Sequence, residues 1–205
     1  MVTISIKADF NDVQKKINNL SDELKKKVIP AALNKLIAKA NASMVKEIAS
    51  EFNIKSSEIR ANLEIIRANR RTDSFFAVLS PSTIGSKGRG LNLIRFVKNR
   101  PAAGSKRQLA FKIKKTGGKK SIAGAFIGND GRTVFIRVAG KYIKNRVNVK
   151  GDSKHAEAIR ALTTIDIPGM FNTKRINKRV LNRITNELPI EFDNAIKKAI
   201  AGYIR

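Results

Sequence analysis

The 205-residue sequence contains no cysteine and a single histidine, His155. Without cysteine the chain forms neither disulfides nor a thiolate metal site, and one histidine alone does not build a zinc site. Nor does His155 supply a catalytic Ser-His-Asp triad unless its partners are well placed. We therefore expect no catalytic residues, no metal site and no cofactor, and a protein that is not an enzyme.

Long apolar segments are missing as well. No apolar run is long enough to span a bilayer, and the N-terminus lacks the basic-then-apolar pattern of a signal peptide. These two absences predict a protein that is made in a cytosol and has no membrane contact.

Acidic residues are scarce: 16 Asp and Glu stand against 42 Lys and Arg, for a net charge of +26. Between Ser74 and Asn129 there is no acidic residue at all, and there are 12 basic ones. Such a stretch predicts contact with a polyanion, since phosphates attract lysine and arginine whatever the base sequence. A merely solvated surface is the alternative. The candidate polyanion-facing or DNA-facing residues are Lys98, Arg100, Lys106, Arg107, Lys112, Lys114, Lys115, Lys119 and Lys120.

Few aromatic residues are interleaved with these charges. Phe96 and Phe111 are the two that are, and both fit the apolar faces of their segments. Stacking of unpaired bases among these charges is therefore poorly supported. Electrostatic attraction to a nucleic-acid backbone explains the charge better.

Helical periodicity marks both ends of the sequence. Apolar residues at helical spacing run from Leu24 to Ile48, and Pro30 is expected to bend or divide this helix. The alanines Ala31, Ala38 and Ala42 are candidates for an oligomer interface, because small side chains allow close approach. A C-terminal helix is predicted over 172–203, with a kink or break at 186–189 caused by the proline at 189.

Alternating patterns dominate the middle of the sequence. Strands are predicted for 91–96 and 109–114, and the turn 128–131 predicts a hairpin. The fold class is therefore α+β, with N-terminal helices, a central mainly antiparallel β-meander and a kinked C-terminal helix. Three segments follow, which we expect to form one compact structural unit: a helical layer with an N-terminal strand (1–63), the basic meander (64–150), and a connector with the last helix (151–205).

The segment Glu47–Leu63 has the pattern of a helix-turn-helix, which would suit a cytosolic DNA-binding regulator. Its second helix would present Glu58, Arg60, Ala61 and Glu64. Two acids among these four residues suit a phosphate-lined groove badly. A structural helix pair is therefore the preferred interpretation, with the regulator as the alternative and an RNA-binding or ribosome-associated protein as a third hypothesis.

Several short motifs, taken in their order, resemble the minor tail protein Z family of tailed bacteriophages. Their order is more specific than any one of them. The motifs are ALNKLIAKANASMVKEIASEFNIKSSEIRANLEIIRA from Ala32, Leu93–Phe96, Gly124–Ile127, Gly131–Arg132, Arg137–Lys141, Leu162–Thr164 and Glu187–Pro189. The family's proline-containing stretch after the Gly-Lys segment is replaced here by Lys144–Val147.

The resemblance implies a structural virion protein at the head-proximal end of the tail, made in the host cytoplasm. Proteins of this family complete the tail and help to join it to the head. The implied partners are further copies of the chain in a ring, of six copies if it matches the tail symmetry, together with tail terminator, tail tube or head–tail connector proteins. Non-specific contact with DNA in or near the lumen would suit the charge.

Overall fold

The computed structural model describes residues 11–69, 77–81, 90–98, 108–143 and 156–202. It is a mixed α+β structure with N-terminal helices, antiparallel strands and a long C-terminal helix, which confirms the predicted fold class. The predicted N-terminal strand lies outside the described residues.

The chain forms two compact units. The helical unit comprises residues 1–50, 55–87 and 167–205, and the β unit comprises 51–54 and 88–166. Both units are assembled from separate parts of the sequence, whereas the predicted segments are contiguous.

Five helices are described. They are α1 (Asn11–Asn18), α2 (Asp22–Glu51), α3 (Ser56–Ala61), α4 (Ile167–Phe171) and α5 (Lys174–Ala201). The first turn of α2 holds Asp22 and Glu23, whose charges are favourable at the positive end of the helix dipole.

The prolines in the two long helices do not interrupt them. α2 continues through Pro30 and α5 through Pro189, so the division at Pro30 and the break at 186–189 did not occur, whereas the alternative bend at Pro30 and kink at 186–189 stay predictions. An interior proline costs about 3 kcal/mol. Burial on both sides offsets that cost in α5, where Leu188 and Phe192 are 7% and 4% exposed.

The apolar stripe of α5 forms part of the core of the helical unit. Its buried members are Ile176, Val180, Ile184, Leu188 and Phe192, as their helical spacing predicts. Towards the C-terminal end of α5, Ile196 is half-buried and Ile200 is 44% exposed, so the buried stripe ends at Phe192.

Ion pairs join α2 to α5. Lys39 Nζ lies 2.8 Å from Glu187 Oε2 and also contacts Glu191, which is 5% exposed. Nearer the C-terminal end of α2, Arg179 donates to Glu47 over 2.9 Å. The pairs show that the two helices run antiparallel, because partners on α5 move towards its N-terminus as α2 advances.

The segment after α2 has a short helix followed by strands. α3 leads directly into β1 (Leu63–Ile66), which pairs antiparallel with β2 (Val78–Pro81). Just after β1, the Asn34 side chain of α2 accepts from the amide of Ala68 over 2.9 Å and donates to its carbonyl over 3.0 Å. One side-chain amide thus occupies both backbone groups of Ala68, as a neighbouring strand would.

The described residues of the β unit form five strands in two antiparallel sheets. β3 (Ala110–Phe111) pairs with β4 (Lys120–Ser121), and β5 (Ala125–Gly128), β6 (Thr133–Ile143) and β7 (Ala156–Ala161) form a three-stranded sheet in that order.

The predicted hairpin at 128–131 is confirmed as the β5–β6 turn. Asn129, Asp130 and Gly131 have φ values of 54°, 51° and 81°. Asparagine, aspartate and glycine tolerate this left-handed region better than other residues do, so the sequence at the turn matches its backbone.

The predicted strand 91–96 is instead a 3-10 helix, Leu93–Phe96. The Asn92 side chain begins it by accepting from the Ile94 amide over 3.0 Å. Leu93 and Phe96 are both buried, at the three-residue spacing of one 3-10 turn. The alternation of apolar and polar residues in 91–96 suggested a strand. Alternation alone does not show that Asn92 caps a 3-10 helix.

Asn92 also fixes the 3-10 segment to β6. Its Oδ1 accepts from the Val134 amide over 2.9 Å, and its Nδ2 donates to the Val134 carbonyl over 3.3 Å. Gly90 lies close by, where an added Cβ would stand 1.7 Å from the Thr164 carbonyl oxygen. Only glycine fits at position 90 without moving the backbone.

Candidate nucleic-acid interface

The β3–β4 hairpin carries the largest described group of predicted polyanion-facing residues. Its inner side is apolar: Leu109 is 2% exposed and Phe111 is 3% exposed. The alternation in 109–114 predicted this buried face correctly for both residues. The ladder itself is shorter than predicted, because only Ala110 and Phe111 pair with β4.

Beyond Phe111 the chain is held by other partners. The Lys112 amide donates to the Phe96 carbonyl over 3.0 Å. The Asn53 amide donates to the Ile113 carbonyl over 2.7 Å, and Asn53 Nδ2 donates to the Lys112 carbonyl over 3.1 Å. These bonds fix the backbone from which the lysine side chains project.

The lysines of the hairpin are not equivalent. Lys112 is half-buried, whereas Lys114, Lys115, Lys119 and Lys120 are exposed. The backbone of Lys112 is the part that is bonded to Phe96 and Asn53. The predicted apolar Ile113 is likewise only half-buried.

Lys114 is engaged within the β unit. Its ammonium lies 3.7 Å from a Glu51 carboxylate oxygen and 5.8 Å from the centroid of the Phe52 ring. A cation over an aromatic ring is attracted by the negative ring face. Lys114 therefore contributes to anchoring the hairpin as well as to its charge.

The remaining three exposed lysines form what we call the lysine rim: Lys115, Lys119 and Lys120. None of their ammonium groups forms an ion pair in the part of the chain that the structure describes. Gly117 and Gly118 separate the two halves of the rim, and a Cβ at Gly118 would meet no atom within 4 Å. The rim is thus an open, positively charged loop on a fixed base.

The other predicted site residues are distributed as follows. Lys98 is exposed, two residues after the 3-10 helix. Arg100, Lys106 and Arg107 lie outside the described residues. The structure therefore brings together the five hairpin lysines, and it does not describe Arg100, Lys106 or Arg107.

The candidate interface alanines, Ala31, Ala38 and Ala42, are all exposed on α2. Ala31 lines a shallow groove with Ala195 and Ala199 of α5, and Lys27, Lys35 and Lys198 also line it. Exposed alanines are compatible with a contact to another chain, and the oligomer interface stays a prediction.

Sequence reasoning missed three exposed arginines of the three-stranded sheet and its turn, Arg132, Arg137 and Arg160. They lie beyond the acid-free stretch, which ends at Asn129, so the criterion of a missing acid could not find them. Antiparallel pairing of the strands, rather than composition, places them in the β unit.

No group of three or more His, Cys, Asp or Glu side chains is placed to hold a metal ion in the described residues. Among the same residues, no helix has both the length and the apolar character needed to cross a bilayer. No family model, curated protein or solved structure matches the chain.

Proposed function

We propose that the chain is a structural virion protein, a tail completion protein at the head-proximal end of a phage tail. In this role several copies form a ring that helps to join tail and head, with DNA in or near its lumen. The lysine rim is the observation that carries the DNA contact. The placement in a tail follows from the sequence resemblance alone.

The electrostatics of the hairpin favour backbone contact over base reading. Lysine is a flexible point charge, and an ammonium neutralises phosphate without selecting a base. The buried Phe111 and the backbone bonds at 53 and 96 keep the hairpin in place, so the DNA need not order it on binding.

The tail role is tested by imaging the neck of assembled particles and locating this chain within it. We expect several copies around the channel at the head-proximal end of the tail. A single copy per particle, counted by quantitative mass analysis, would contradict the ring. Isolated subunits are less informative, because a ring can depend on the tail as its template.

The DNA contact is tested by binding to random duplexes at increasing salt. We expect affinity to fall by orders of magnitude between low and moderate salt, since each neutralised phosphate releases counterions. A strong preference for one duplex sequence would instead support the regulator with a helix-turn-helix at 47–63.

A further inference from the structure

One face of the three-stranded sheet places two phenylalanine rings side by side. Phe126 of β5 stands directly opposite Phe135 of β6, so both side chains leave the sheet on the same side. Their ring centroids are 6.0 Å apart, with the ring planes tilted by 31°. Both residues are half-buried. The two rings form a tilted cross-strand pair.

An arginine and an exposed isoleucine extend this face. Arg137, two residues after Phe135, is exposed and places its guanidinium carbon 5.4 Å from the Phe126 centroid. Ile159 of β7 pairs with Arg137 in the register and is 43% exposed. We call this surface, made of Phe126, Phe135, Arg137 and Ile159, the aromatic face.

A purely structural role explains only part of the aromatic face. Cross-strand aromatic pairs stabilise sheets, and the Phe135 ring covers Gly128, whose added Cβ would lie 3.2 Å from it. The core, however, is served by the opposite face, where Val134 is 0% exposed. A cation–π contact explains the guanidinium at Phe126, but neither contact accounts for the exposure of Ile159.

We propose that the aromatic face binds unpaired bases of single-stranded nucleic acid. A base can stack on a phenylalanine ring or on the plane of an arginine guanidinium, and the charge of Arg137 attracts the adjoining phosphate. Bases in a duplex are already stacked and paired, so this face selects single strands. The proposal does not depend on the tail role.

Charge decides which occupant suits the face. Arg137 is exposed and gives the aromatic face a positive charge. A nucleic-acid strand brings phosphates that neutralise that charge, and it brings flat rings that match the phenylalanines.

The test compares two ligands with equal phosphate number by fluorescence anisotropy of the full chain. One is a labelled oligothymidine of about ten nucleotides, within the usual site size, and the other is an abasic strand of the same length. At moderate salt we expect the oligothymidine to bind about tenfold tighter, as stacking of one base provides. Equal affinities would overturn the proposal.

Substitutions show which side chains cause the preference for oligothymidine. Phe135→Leu should abolish the preference for oligothymidine, and Phe135→Tyr, which keeps the ring, should retain it. Replacing the lysines of the rim should lower the affinity for both ligands equally. A loss of attraction to the backbone can therefore be distinguished from a loss of stacking. Thermal unfolding checks that each variant is folded.

Should Phe135→Leu not fold, Ile159→Glu serves in its place, because an exposed position tolerates the change. The added carboxylate repels phosphate and occupies the aromatic face, so we expect the preference for oligothymidine to disappear. A preference that survives at either position would place base binding elsewhere and refute the proposal.

Discussion

Lysines act differently in the two units. In the helical unit, Lys39 meets two carboxylates, Glu187 and Glu191, and the second of these is almost fully buried. In the β unit, the lysine rim has no ion-pair partner among the described residues. The same side chain therefore links two helices in one unit and leaves its charge accessible to other molecules in the other.

The difference teaches that net charge is a poor guide to where a polyanion would bind. Lys39 counts towards the total of +26 as fully as Lys120 does, yet its charge is largely compensated by its two neighbours. What matters is charge without a nearby carboxylate, on a backbone that is already fixed. The lysine rim meets both conditions.

The largest expected effect concerns the buried side of the hairpin. Phe111→Ala should lower the free energy of unfolding by about 3–5 kcal/mol, because the ring is almost fully buried. Urea denaturation measures the change. The matched control is Phe126→Ala, where the half-buried ring should cost less. Equal losses would contradict the argument that the burial of Phe111 sets its contribution to stability.

The next effect concerns the contribution of the lysine rim to duplex binding. Replacing Lys115, Lys119 and Lys120 by glutamine should reduce the salt slope of duplex binding by about 3, one for each phosphate that is no longer neutralised. Stability should stay within about 0.5 kcal/mol for each exposed position. Titrations at several salt concentrations, together with thermal unfolding, measure both.

The control for that variant removes the same formal charge elsewhere. Lys46, Lys55 and Lys178 are exposed in the helical unit, and their replacement by glutamine should leave the salt slope nearly unchanged. If both triple variants weaken DNA binding equally, the total charge matters and the lysine rim has no special role.

The smallest effect is the pH dependence of the α2–α5 ion pairs. Hydrogen bonds from Lys39, and then from Arg183, lower the pKa of the Glu187 carboxyl. A lowered pKa stabilises the fold above the unfolded value of about 4.3, and this stability is lost as the pH falls through the folded pKa. Unfolding midpoints measured from pH 6 down to about pH 3 should therefore fall more in the wild type than in Glu187→Gln.

Lys39 affects the same dependence of stability on pH, but at high pH. Hydrogen bonds to Glu187 and Glu191 raise its pKa. Its stabilisation is present below the unfolded pKa of about 10.4 and is lost as the pH rises through the folded pKa. Both groups are partly solvated, so the changes should be small. A flat profile at both ends would show that the ion pairs contribute nothing measurable.

Local patterns predicted much of the fold. The spacing of Ile176, Val180 and Ile184 located the buried stripe of α5, and the turn residues at 128–131 located the β5–β6 hairpin. Each of these two signals is carried by residues that are only a few positions apart in the sequence. Local chemistry alone therefore suffices to find them.

Long-range partners could not be predicted in the same way. The bond from the Asn53 side chain to the Lys112 carbonyl joins residues 59 positions apart, and no periodicity reveals it. The juxtaposition of Phe126 and Phe135 depends on strand register, and the continuity of α5 through Pro189 depends on burial around it. The charge of the hairpin lysines was visible in the sequence, but their unequal exposure was not.

The asparagines at positions 34 and 92 make the protein sensitive to chemical ageing. Each amide offers one donor and one acceptor to a single residue, Ala68 or Val134. Deamidation to aspartate keeps the shape but replaces the donor with a second acceptor, which then faces a backbone carbonyl. Deamidation to aspartate would thus turn either matched pair of hydrogen bonds into a repulsive contact, and the isoaspartate that forms with it would also lengthen the backbone.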